Sequence, residues 1–444
     1  MITGHRDVRA TLVRLAVPSA AALAGDQLLG IVDTIVIGHF GANALAAITG
    51  ANTIFVTSAL ATHGLVQGAG ILGAQAIGAG DDRAFGRVTR AALAVPLVLT
   101  LVAIALAVWQ AETVVRLMVG PLPTAGAGAT YLILRMISLV PITFAALAYT
   151  VFSAAGDTRF SFNLLLIINA VHIPLLLVLA LGIGTGHALG IEGAGISSLC
   201  AELVGAGYAI SRAARRPQYA FFARPFVDWR LALRVAWLGL PEAIYLTLVV
   251  GPDIAIVTML APLGAETVAA FRALMIVSDL TWSIPGSLGG AAQTVLGQRF
   301  GAHDSAGARD FDRRAIGYGV RLSSIAAVVV AALSWPIAAV ITLSPALATL
   351  AAGPIALHML TLPQKGYAML GIARIRAVGD TRFSMIVGAI ASIFVIPGAY
   401  IGITRLHLGL YAVPCAWIVT WLFWCLATAL RLRRFDWEAT HLAV

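Results

Sequence analysis

The sequence predicts an all-α integral membrane protein: twelve transmembrane helices in two parallel six-helix repeats, with both termini cytoplasmic. Three observations carry this. The 444-residue chain is 60% hydrophobic and only 11% charged, with mean hydropathy +0.92, whereas soluble domains carry about 25% charged residues. Its apolar runs reach or exceed the roughly 20 residues that cross a bilayer as a helix, and none alternates with the period of two that a barrel strand needs. Finally, the chain repeats itself. GDTRFS at 156–161 returns at 379–384, a shift of 379 − 156 = 223. The same register pairs Pro18 with Pro241, Gln75 with Gln298, Asp81 with Asp304 and Pro174 with Pro397. Six spans per repeat is an even number, so both repeats enter the membrane from the same side, related by an axis along its normal.

Gly, Pro and charge bound the twelve spans, predicted at 11–39, 43–78, 87–110, 125–153, 160–184, 189–213, 231–262, 265–300, 314–342, 346–377, 383–403 and 408–431. Spans one to six form an N-terminal lobe (1–213) and spans seven to twelve a C-terminal lobe (231–444). The basic, aromatic stretch RRPQYAFFARPFVDWR within 214–230 links them on the cytoplasmic side. Span one begins after a charged start and is too long for the apolar core of a cleavable signal. Span two and its counterpart, span eight, are the longest and most polar. Spans five and eleven each open on GDTR, where Gly permits the turn, Asp caps the helix and Arg meets the headgroups. Glu242, next to Pro241, reads as a negative charge at the start of span seven, favoured by the helix dipole. Pro174, Pro397 and Pro414 read as kinks. Trp417, Trp421 and Trp424 make a helical stripe on span twelve, a lipid or packing face.

Orientation follows from arginine placement. Of 29 Lys and Arg, 24 fall at the N-terminus, in alternate loops, in the linker and in the tail, all on one side. The other side holds Arg116, Arg135, Arg272 and Arg405, and Lys365 lies inside a span. This bias accounts for the net charge of +9 without a nucleic-acid partner. Cys200, Cys415 and Cys425 sit in apolar helices, an odd number with no disulfide or metal spacing. No HExxH, GxSxG or paired-Asp motif marks an intramembrane enzyme, and no cofactor or metal is expected.

The polar residues inside spans are the functional candidates, since a carboxylate in hydrocarbon costs at least about 3 kcal/mol. Asp26 and Asp33 lie seven residues apart, so they share one face of span one, separated by about 10 Å. Glu202 in span six is a second carboxylate candidate for the same lobe. His63 and His172 are possible proton relays, with a packed histidine as the plain reading. In the second lobe Asp253, Asp279 and Lys365 occupy spans seven, eight and ten, as a structural ion pair or as substrate-binding or coupling groups.

VDTIVIGHFGANALAA (32–47) with LAPLGAETVAA (260–270), GAQAIGAGD (73–81) with LGQRFGAHD (296–304), and AAGDTR with AVGDTR resemble the multidrug and toxic compound extrusion (MATE) family along the whole chain, and within it the bacterial DinF-type branch. The resemblance implies V-shaped lobes and export of organic cations and other amphiphiles in exchange for protons or sodium. The family's first-helix carboxylate falls on Asp33 and its fifth-helix asparagine on Asn169. Three positions depart from the family. A fifth-helix Asp is replaced by Ile173, beside His172. A seventh-helix Glu of the NorM-type branch falls on Val249, one turn before Asp253, and a tenth-helix Asp falls on Lys365. An amine where a sodium ligand belongs points to protons, or to an internal ion pair. The expected protein is a monomeric, multi-pass antiporter of the bacterial inner membrane, exchanging a small amphiphilic cation for H+. Na+ coupling and a lipid-linked oligosaccharide flippase of the same superfamily are the alternatives.

Overall fold

A computed structural model describes residues 8–119, 124–184, 186–224, 227–248 and 251–438. Among the described residues the regular structure is entirely helical. The first repeat holds α1 (Val8–Gly38), α2 (Ala42–Gly78), α3 (Asp82–Val119), α4 (Ala125–Ala154), α5 (Thr158–Leu181) and α6 (Gly190–Ala214). The second holds α7 (Trp229–Leu248), α8 (Gly251–Leu260), α9 (Ala265–Gly301), α10 (Ser305–Ala332) and α11 (Ser334–Thr342), then α12 (Pro345–His358), α13 (Thr361–Ala377), α14 (Thr381–Thr404) and α15 (Ala412–Arg433). By length and composition, 11 segments can cross a membrane, or 12 when α12 and α13, bent by 41°, count as one span.

The helices outrun several predicted spans. α3 begins at Asp82 and ends at Val119, where 87–110 was expected, and α10 begins at Ser305 rather than 314. Arg83, Arg87, Arg309, Arg313 and Arg314 therefore ride on helical turns. Charge marks the edge of the apolar layer, while backbone hydrogen bonding carries the helix beyond it.

Contacts divide the described chain into two compact units, one of Gly25–Ala243, the other joining the leading part of α1, through Ala24, to the chain from Ile244 onward. The first helix of each repeat is thus split between units. In the second unit Leu12, Leu15 and Ala16 pack with Leu288, Ala292 and Val295 of α9. In the first, the leading part of α7 lies against α2 at backbone distance. A Cβ on Gly64 would sit 2.2 Å from Ala243 Cα, one on Gly68 2.1 Å from Val235 O, and one on Gly239 2.2 Å from Leu65 O. Gly64 and Gly68 form a GxxxG pair, the spacing that lets membrane helices touch without side chains between them.

Both GDTR turns place Gly in the left-handed region, Gly156 at φ 83° and Gly379 at φ 84°. Their aspartates diverge. Asp380 caps α14, accepting from Phe383 N at 3.4 Å, and pairs with Arg431 at 2.7 Å. Asp157 makes no side-chain cap bond and instead reaches Arg216 at 2.9 Å and Arg212 at 3.5 Å. Two local expectations change and one narrows. Glu242 is buried well inside α7, which starts thirteen residues earlier at Trp229. Pro414 sits in the first turn of α15, where its missing amide hydrogen is not needed. Trp421 and Trp424 are buried against Trp282 and Tyr245, so that stripe is a packing face.

Candidate functional site

Each unit carries its own polar cluster. In the first, α1 and α5 bring two chemistries together. His172 Nε2–H donates to Asp33 Oδ1 at 2.8 Å. His172 is almost fully enclosed, while 31% of the Asp33 side chain stays accessible. A polar pair in an apolar helix bundle satisfies itself where neither partner could alone. His172 thus faces Asp33 from the position next to Ile173, where the resemblance leads one to expect a carboxylate. Asn169 lies three residues before His172 and shares its helix face. Its Oδ1 is buried without a hydrogen-bond partner among the described residues.

Around this pair stand Asp26, exposed on α1, and Glu202, half-buried on α6. Asp26 feels Asp33, and Glu202 feels Asp26 and His172. The group that ties the cluster together is Arg135. Arginine counting placed it among the sparse basic residues of the outer side. It lies a third of the way along α4, over the Phe55 ring at 3.7 Å, and acts electrostatically on Asp26 and Glu202. Its Nε is buried with no hydrogen-bond partner among the described residues. The signal that would have found it is the same one that flagged the acids: an ionisable residue within a span. With His172 neutral and the acids ionised, Asp26, Asp33, Glu202 and Arg135 sum to −3 + 1 = −2. Such a cluster attracts one or two monocations, whether protons or organic cations. His63 stands apart from it, accepting from Gln67 Nε2 at 2.9 Å and lying near the Tyr149 ring.

The second unit builds around Lys365 on α13. Its Nζ donates to Ser278 Oγ at 3.3 Å, and that hydroxyl is 3.0 Å from His358 Nε2. Trp282 and Trp421 flank the ammonium, with ring centroids 6.0 and 5.7 Å away. Asp253 and Asp279 act on it electrostatically, but neither forms a direct ion pair with it among the described residues. Asp253 Oδ1 is buried without a hydrogen-bond partner there, as is His358 Nδ1. Arg272 balances the acids. Asp253, Asp279, Lys365 and Arg272 sum to −2 + 2 = 0. Ser278, Trp282 and His358 went unnoticed in the sequence, His358 because it lies in an apolar run just before the α12–α13 bend. Val249 lies outside the described residues.

Comparison with known proteins agrees with this architecture. The MatE family model matches twice, over residues 18–178 and 241–401. The two matches are offset by 241 − 18 = 223, the register of the internal repeat. A probable multidrug resistance protein NorM of Aromatoleum aromaticum is 27% identical over 332 residues, 73% of this chain and 70% of that protein. The multidrug resistance protein MdtK of Yersinia pseudotuberculosis is 25% identical over 379 residues, 84% of this chain and 82% of that one. A crystal structure of MATE in complex with MaL6 shares the fold, with a TM-score of 0.87 over 97% of both chains at 17% identity.

Proposed function

The chain belongs to the MatE family, and from that footing we propose that it is a proton-coupled antiporter of the bacterial inner membrane that exports amphiphilic organic cations, drugs among them, by alternating access. Both termini lie in the cytoplasm in this reading. The names of the relatives, multidrug resistance proteins, support the cargo class. The observation that carries the coupling is the 2.8 Å contact of His172 with Asp33 inside two spans.

The coupling follows from finite charge. An organic cation is drawn by the −2 of the first cluster. Each proton taken up by Asp33, Asp26 or Glu202, or by His172, removes one unit of that attraction. Proton and cation therefore compete, which is the thermodynamic requirement for exchange: each lowers the affinity for the other by the same factor. The Asp33–His172 pair takes the leading part because it can hold one proton more or less while keeping its hydrogen bond. Asn169, on the same face as His172, offers a free acceptor to the passing ion or cargo. Arg135 limits the cluster's total charge, so that one proton is a large fraction of it. The Lys365 group is uncharged in sum and holds an amine where a metal-ion ligand would be needed. That favours protons over sodium. The excess of acids in the first cluster argues against a lipid-linked pyrophosphate as cargo.

The test uses proteoliposomes loaded with a fluorescent organic cation, with a pH gradient and a sodium gradient imposed separately. Efflux driven by the pH gradient and lost in Asp33→Asn is the expected result. Efflux driven by sodium alone, or a pH response unchanged in Asp33→Asn, would refute the assignment.

A further inference from the structure

Beneath the segment that joins the two repeats lies a slot that the transport reading does not use. It holds about 100 Å³ between α3, α4 and α6 and is lined by Leu93, Phe144, Leu147, Ala209 and Ala213, with Phe222 at its rim. Among the described residues, the only charged side chain in its lining is Arg90. One guanidinium nitrogen of Arg90 donates to Ala220 O. Its Nε is buried and has no hydrogen-bond partner among the described residues. Phe222 and Ile210 are exposed by 55% and 45%, so the slot opens onto an apolar outer surface.

The charge at this end of the unit is one-sided. The start of α3, the α4–α5 turn, the end of α6 and the start of α7 lie together, because successive helices alternate in direction. In segments 81–90, 156–159 and 211–234 there are ten Arg and four Asp. Three of those aspartates are already engaged: Asp81 with Ala84 N, Asp157 with Arg212 and Arg216, Asp228 with the first amides of α7. Arg87 stands close enough to Arg90 for the two charges to repel. What is missing is an anion that carries its own hydrocarbon.

We infer that this slot is a binding site for an anionic phospholipid. The phosphate pairs with the Arg90 guanidinium, and one acyl chain enters between α3, α4 and α6, its remainder lying over Ile210 and Phe222. Edge-on and tilted contacts among the Phe85, Tyr219 and Phe221 rings hold the linker above it, so the lipid adds to the fastening of the repeat-joining segment on the first unit. A zwitterionic lipid lacks the net charge that this end attracts, and a free phosphate lacks the chain that fills the slot.

The full-length protein, purified in detergent, is incubated with equal amounts of phosphatidylglycerol and phosphatidylcholine, and retained lipid is counted by native mass spectrometry. Phosphatidylglycerol should be retained in preference. Arg90→Gln removes the phosphate partner, and Ala213→Trp fills the slot without changing charge. Arg90→Gln should lower retention about fivefold, the effect of one basic residue at an anionic surface, and Ala213→Trp should lower it by blocking the chain. Arg83→Gln, an exposed arginine at the same end, should leave it unchanged, and millimolar inorganic phosphate should not displace the lipid. Equal retention of the two lipids, wild-type retention in Ala213→Trp, or displacement by inorganic phosphate would each overturn the site. If Arg90→Gln fails to give a monodisperse protein, Ala213→Trp decides alone.

Discussion

The hydrogen bond between His172 and Asp33 sets what single residues contribute. An N–H donor to a carboxylate is worth about 1.5–3 kcal/mol, so His172→Ala should change any equilibrium in which Asp33 takes part by about tenfold or more. His172→Gln is the sharper variant. The Gln amide can still donate to Asp33, but it cannot accept a second proton. Cation binding should survive in His172→Gln while efflux driven by a pH gradient is lost, and equilibrium binding and liposome efflux assays separate the two. Efflux equal to wild type in His172→Gln would remove the imidazole from the coupling step. Asp33 stood out in the sequence as a candidate, because a carboxylate in an apolar run is costly. His172 was legible only as a candidate. Its partner is 139 residues away, and no local pattern encodes that distance. Arg135 was counted only for its side of the membrane, whereas its contact with Phe55 and its electrostatic influence on Glu202 add it to the cluster.

Among helices, close backbone approach decides more than side-chain packing does. Gly68→Val would place side-chain atoms where Val235 O now sits, and overpacking of this kind costs about 1–3 kcal/mol. The expected outcome is a lower melting temperature for the purified protein, with a smaller effect at Gly126, where a Cβ meets nothing within 4 Å. A melting temperature unchanged in Gly68→Val would mean that α2 and the start of α7 separate readily. Element positions were largely readable, since apolar runs and Gly–Asp turns survive translation into helices. Element ends were not. α3 and α10 extend past their apolar runs because a helix ends where its hydrogen-bonded partners end, and an arginine on its outer turns does not stop it. The bend at Met359–Leu360 also lacks a marker, with no Gly or Pro at the break itself.

For the molecule as a whole, the 223-residue register ties sequence, family match and topology together. The repeats do not pack as separately as they are written. Leu12, Leu15 and Ala16 belong to the core that α9 and α13 build, and Gly239 and Val235 belong against α2. Expression of 1–213 or 231–444 alone should therefore yield aggregated protein, while co-expression of the two restores a monodisperse species on size-exclusion chromatography. Well-behaved separate halves would mean that these exchanged segments are dispensable. The repeats have also diverged in charge, to −2 around Asp33 and to zero around Lys365. On the proposed reading, that asymmetry assigns coupling to the first unit, which yields a direct test. Titrating the detergent-solubilised protein with an organic cation in weakly buffered solution, under a pH-sensitive dye, reads the protons expelled on binding. Wild type should release near one proton per cation bound, and Asp33→Asn clearly fewer. Binding without proton release in wild type, or equal release in Asp33→Asn, would contradict this assignment.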